Sequence, residues 1–109
     1  MDLVLESYKL AALFPRNETY GLRSQLQRTA VFIPANIAKG HGRKHLGDYL
    51  HHLSVANGSR MELETHILIA LRLSYVKEKQ ADAIPAAMAE LGRMLAGLIK
   101  SLKSRQADT

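Results

Sequence analysis

The stretch SQLQRTAVFIPANIAKGHGRKH, residues 24–45, decides the fold. Leu26, Ala30, Ile33 and Ile37 recur at intervals of three and four, which places them in one stripe of a helix with 3.6 residues per turn. Ser24-Gln25-Leu26-Gln27 matches the Ser-x-x-Gln box whose side chains satisfy the free amides at a helix start. A helix is therefore expected to begin there or a turn earlier. Pro34 lies inside the pattern and has no N–H, so it removes the bond to the Ala30 carbonyl and bends the helix. The alternative is a helix end at Ile33 followed by a new short helix. Val31 and Phe32 lie off the stripe. A helix that is apolar on a second side has to bury that side against another helix or another subunit, so these two residues are expected at an oligomer interface. Gly40-His41-Gly42-Arg43 ends the run, and Gly40 and Gly42 are read as turn positions that need flexible backbone.

The flanking segments carry the same helical signature. Residues 2 to 13 place Leu3, Leu5, Leu10, Ala11, Ala12 and Leu13 among polar residues with no Gly or Pro, and Phe14-Pro15 stops that pattern. From His45 to Tyr75 there is no proline, and Leu46, Leu50, Leu53, Met61, Leu68, Leu71 and Tyr75 mark a stripe on a helix of about 30 residues, or about 45 Å. Gly58-Ser59 in its middle weakens helix propensity, which a close crossing with Ala35 or Ala38 would explain. After the short connection Lys77-Glu78-Lys79-Gln80, the residues Ile84, Ala87, Leu91, Met94, Leu95, Leu98 and Leu102 form a last helix. The tail 104–109 is expected to fray. Short connections between four amphipathic helices favour antiparallel neighbours, so the expectation is a single all-α domain over 1–109, an antiparallel up-and-down four-helix bundle.

Composition narrows the function. The chain has 109 residues, 47% of them hydrophobic but only 6% aromatic, with no Trp and no Cys. Thiolate metal sites, disulfides and thiol nucleophiles are therefore unavailable. The first residues lack the basic region and long apolar stretch of a signal peptide, and no run approaches the ~20 apolar residues that cross a bilayer, so a soluble cytoplasmic protein is expected. The net charge of +5 is concentrated: Arg16, Arg23, Arg28, Lys39, Arg43, Lys44 and Arg60 face only Glu18 and Asp48 in that span. With His41, His45, His51 and His52 nearby, this creates a field that attracts phosphate-rich or acidic partners. Such a surface also keeps a protein soluble.

Catalytic patterns are missing. There is no Glu-x-x-His pair of the kind that di-metal bundles use, no serine in a Gly-x-Ser-x-Gly setting, and Gly40-His41-Gly42 lacks the rest of a phosphate loop. His45, Asp48 and His52 fall at i, i+3 and i+7 on one helical face, a spacing that suits a metal with one open position. A solvated polar face explains the same residues more simply, and no metal or other cofactor is assigned. Glu64 lies close to the apolar stripe of the third helix, where a carboxylate needs a partner. Arg28 is the candidate, as a structural ion pair whose loss destabilises the fold.

One further pattern runs through the chain: Phe14-Pro15, Tyr20-Gly21-Leu22, Gln25, Arg28, Ala30-Val31, Ile33-Pro34, Asn36-Ile37-Ala38, Gly40, Gly42-Arg43, Glu62-Leu63-Glu64-Thr65, Arg72-Leu73 and Tyr75. With its Ile-Pro-x-Asn-Ile-Ala core it resembles the four-helix-bundle proteins encoded in intervening sequences of bacterial 23S ribosomal RNA genes. Those proteins are similar to the accessory variability determinant of diversity-generating retroelements, a homopentamer that binds nucleic acid together with a reverse transcriptase. The resemblance implies a pentameric barrel here, structural roles for Pro34 and Asn36, and, more loosely, a role with nucleic acid. Three positions depart from the family pattern: Lys39 replaces an acid, His45 replaces a Ser that would cap the third helix, and Phe32 replaces a small residue.

The expectation is thus a non-enzymatic, homo-oligomeric helical scaffold whose surface cations Arg23, Lys39, Arg43, Lys44 and Arg60 contact the phosphates of RNA or DNA without reading sequence. Its partner is then a nucleic acid or a nucleic-acid-handling protein, and no membrane. The alternative is a protein-interaction module in which the basic segment only solubilises.

Overall fold

Four helices make up the computed structural model, which describes residues 2–107: α1 (Asp2–Ala11), α2 (Leu22–His41), α3 (Leu46–Arg72) and α4 (Ile84–Ala107). Short 3₁₀ turns, Arg16–Glu18 and Glu78–Ala81, fill the first and third connections. Helix α3 packs along α2 and against α4, while α1 closes the bundle against α2 and α4. The result is an antiparallel up-and-down four-helix bundle, elongated to 51 × 24 × 19 Å. No strand occurs among the described residues. No helix is long and apolar enough to cross a membrane.

The core follows the α2 stripe, with Leu26, Ala30 and Ile33 buried and Ile37 packed against them. Helix α2 begins at Leu22, two residues before the Ser24 box, and its cap position Gly21 makes no side-chain hydrogen bond. The Glu18 carboxylate instead accepts the Leu22 amide at 3.4 Å, so the acid of the preceding turn does the work expected of Ser24. Pro34 does not end the helix, which runs unbroken to His41. Two carbonyls beyond the Ala30 oxygen that Pro34 leaves unpaired, the Asn36 side-chain amide donates to Phe32 O at 2.8 Å.

Helix α3 is rotated from the expected stripe. Leu53 is buried, but Met61 is 57% and Leu68 51% exposed, and the face that meets the core is Ala56, Ser59, Leu63, His66, Ile67 and Ala70. Small and polar residues line much of this face, because close helix approach needs little side-chain volume there. The helix stops at Arg72 rather than Tyr75. Ser74 takes a left-handed conformation (φ 61°), the Ser74 amide reaches Leu71 O at 3.1 Å and the Tyr75 amide reaches Ala70 O at 3.0 Å. This pair of bonds is the Schellman arrangement that closes helix ends. Tyr75 then turns inward, its ring 5.7 Å from that of buried Phe14. At the other end of the chain, α4 continues through residues 104–107, beyond the point where fraying is expected, anchored by buried Leu102. Asp108 and Thr109 lie outside the described residues.

Gly40 and Gly92 mark where helices touch. A Cβ on buried Gly40 would come within 2.9 Å of Tyr49 Cδ1 and 3.0 Å of His52 Cβ, and one on Gly92 within 3.1 Å of the Arg60 guanidinium carbon. Gly58, expected at a close crossing with Ala35 or Ala38, is exposed with nothing within 4 Å. The close crossing is displaced to the end of α2 because that is where the short 42–45 connection forces α2 and α3 together.

Candidate nucleic-acid interface

The last turn of α2, the connection 42–45 and the first two turns of α3 form one end of the bundle. Arg43 NH bonds Gly40 O at 3.0 Å and Gly42 NH bonds Ala38 O at 3.3 Å, so the turn continues directly from the helix. Gly42 keeps an ordinary right-handed conformation, with φ −80°. The flexible backbone expected at Gly42 is therefore not used, since this turn needs no positive φ. Lys39 and His41 lie in the final turn, where the partial negative charge of the helix end favours cations. His45 occupies the cap of α3 without a side-chain cap bond, and Asp48 stands in the first turn, where a carboxylate is favoured.

Lys39, Arg43 and Lys44 are all exposed, and no ion pair to a carboxylate engages them among the described residues. Their field is visible at His52. That ring is partly buried and its Nδ1 lies 3.3 Å from Asn36 Oδ1. Its pKa is lowered from 6.5, first by desolvation and then by the charges of Arg43, His51 and Lys39, with Asp48 opposing. The charges of Lys39 and Arg43 are thus felt at one imidazole. Next to it, Tyr49 packs on Gly40, and its hydroxyl lies 3.4 Å from His41 Nδ1. Sequence reading missed Tyr49 and His52 as the pair that positions this end. The available signal was Gly40, a glycine in the last turn of α2, just before the helix it faces.

The other two candidate cations lie elsewhere. Arg23 is in the first turn of α2, about 24 Å along the helix from Lys39. Arg60 is about 21 Å from the start of α3; its Nε donates to Asn57 Oδ1 at 3.0 Å and its guanidinium covers Gly92. The structure therefore gathers Lys39, Arg43 and Lys44 at one end and separates Arg23 and Arg60 from them. Arg28 and Glu64 are both exposed and form no ion pair with each other. The rotation of α3 explains this correction: with the core face shifted to Leu63 and Ile67, Glu64 turns to solvent and needs no buried partner. Val31 and Phe32 lie on the outside of α2, 40% and 48% exposed. His45, Asp48 and His52 do not form a metal-ligating group, and no such group of three occurs among the described residues.

Comparison with known proteins adds to this geometry. The family model described as 23S rRNA-intervening sequence protein matches residues 1–97. Among solved structures, a protein of unknown function from the S23 ribosomal protein family of Bacteroides thetaiotaomicron superposes with a TM-score of 0.76 at 23% identity, over 91% of this chain and 96% of that one. No curated protein matches the chain.

Proposed function

This chain belongs to the 23S rRNA-intervening sequence protein family, and from that premise we propose that it is a non-enzymatic helical scaffold. It assembles with copies of itself and holds RNA or DNA by the phosphates at the α2–α3 turn. The observation that carries this reading is the grouping of exposed Lys39, Arg43 and Lys44 at the α2–α3 turn, with no carboxylate paired to any of the three among the described residues. Cations that are not committed to internal pairs are free to displace counterions from a polyanion. Contact made by these cations is with the phosphate backbone and carries no sequence preference. Assembly, which we take to be a ring of five copies, repeats this weak contact and raises the avidity. Exposed Val31 and Phe32 support assembly, because apolar surface of this kind gains free energy when a neighbour covers it.

Binding to mixed-sequence RNA and DNA, measured across a salt series, tests the proposal. Three phosphate contacts per copy give a slope of log K against log salt of about −2 to −3 per copy engaged. Reversing two of the cations, Arg43→Glu with Lys44→Glu, is expected to abolish binding at moderate salt while leaving the helical circular dichroism signal intact. Undetectable binding at low salt, or binding indifferent to the reversal, would leave the basic end as a solubilising surface.

A further inference from the structure

Away from the basic end, the C-terminal half of α3 and the start of α4 leave an open groove of about 490 Å³, closed at one end by the 3₁₀ turn Glu78–Ala81. Its floor is apolar, built from Ile67, Leu71, Ile84 and Met88, with the half-exposed Leu68 along one wall. Its rim is acidic. Glu64, Glu78 and Asp82 are exposed and form no ion pair among the described residues, while the single rim cation, Arg60, is drawn toward Asn57 and Gly92. In a chain of net charge +5 this is a local reversal of sign.

A complementary surface stands on α2. Phe32 projects from the bundle and Arg28 precedes it by four residues, so the two lie on one helical face one turn apart. The same chain cannot bring this face into the groove, because α2 presents it outward while the groove lies between α3 and α4. We infer that Phe32 of one copy seats in the α3–α4 groove of the next, with Arg28 meeting the rim carboxylates, Glu64 foremost. The pairing that Arg28 and Glu64 do not make within a chain is made between chains. The charge complementarity names a second copy as the occupant: an aromatic knob flanked by a cation matches an apolar slot flanked by carboxylates. The two surfaces are different patches, so the contact is head-to-tail, the geometry that closes into rings or extends into filaments. This inference rests on the self-association proposed above and specifies the surface that performs it.

A complementation experiment tests it. Phe32→Glu removes the knob and Leu68→Glu blocks the groove, both at exposed positions, with thermal melting monitored by circular dichroism to confirm folding. By light scattering, each variant alone is expected to be monomeric at concentrations where the unaltered chain is an oligomer. An equal mixture is expected to form a dimer and nothing larger, because only one intact knob and one intact groove remain per pair. Arg28→Glu and Glu64→Arg are each expected to weaken association about tenfold or more, and their combination in one chain to restore it. An unaltered chain that is monomeric at every concentration overturns both this contact and the self-association reading. An oligomer that survives Leu68→Glu, or a mixture that stays monomeric, overturns the contact alone.

Discussion

The two ends of the α2–α3 pair are built on opposite principles. At the connecting turn the helices touch so closely that Gly40 has no room for a Cβ beside Tyr49 and His52, and the surface carries Lys39, Arg43 and Lys44. Toward the far end α3 parts from α4 around a groove, and the surface carries Glu64, Glu78 and Asp82. The difference teaches that packing and charge are distributed together. The closed end offers exposed cations on tightly packed backbone, which suits the polyanion contact proposed above. The open end offers apolar volume, which suits a side chain from a neighbour. A basic chain repels its own copies at short range, and in the proposed contact the groove carboxylates Glu64, Glu78 and Asp82 offset that repulsion.

Substitutions at single glycines test the packing half of this contrast with the largest expected effect. Gly40→Ala gains helix propensity but forces Tyr49 and His52 away, and overpacking of this kind is expected to cost about 1–3 kcal/mol in chemical denaturation. Gly58→Ala, at an exposed helical position with open space around it, is expected to stabilise by about 0.5–1 kcal/mol. Equal effects at the two positions would erase the distinction between the closed end and the rest of α3.

The charge half is read at His52. Its lowered pKa means that the unfolded chain takes up the proton first as pH falls below 6.5. The associated stability is present above that value and is lost progressively on acidification toward the folded pKa. Because the Arg43 and Lys39 charges contribute to the lowering, neutralising them with bound polyanion is expected to raise the pKa, and Arg43→Ala to raise it in the free protein. An NMR titration of the His52 ring with and without RNA measures both; a value unmoved by either would show that desolvation alone sets it. The smallest effect is expected at the far end, where Glu64→Ala in the Phe32→Glu background, which removes the proposed contact between copies, should leave stability within about 0.5 kcal/mol, since the residue is exposed and unpaired within its own chain. A marked loss of stability would restore the ion pair read from the sequence.

How much could be read beforehand depended on which signal each element used. Helices α2 and α4 announce themselves by large aliphatic residues at helical spacing, and Leu26, Ile33, Ile84, Leu91, Leu95 and Leu102 are all buried. Helix α3 is apolar on more than one face, so its aliphatic pattern does not identify the face that packs. Ala56, Ser59 and Ala70 occupy the core contact, while Met61 and Leu68 point outward. The end of α3 was hidden for a similar reason: a serine, not a glycine, takes the left-handed position after it. At the basic end the cations were legible as a run of charge along the chain. Their division was not, because Arg23 and Arg60 join the turn in sequence composition but are carried away from it by the rise of two antiparallel helices. The placement of Glu64 failed with the stripe on which it was based.

The contact at Gly40 has a thermodynamic consequence for association. A disordered basic tail surrenders backbone freedom when it settles on a polyanion, and that loss subtracts from its affinity. Here Tyr49 and His52 press on the main chain between Lys39 and Arg43, so the backbone that carries those cations was ordered when the protein folded. What remains to be lost on binding is the motion of the side chains alone. Under the proposed function the turn is a preorganised mount, and loosening it at Gly40 is expected to weaken polyanion binding even where every positive charge is kept.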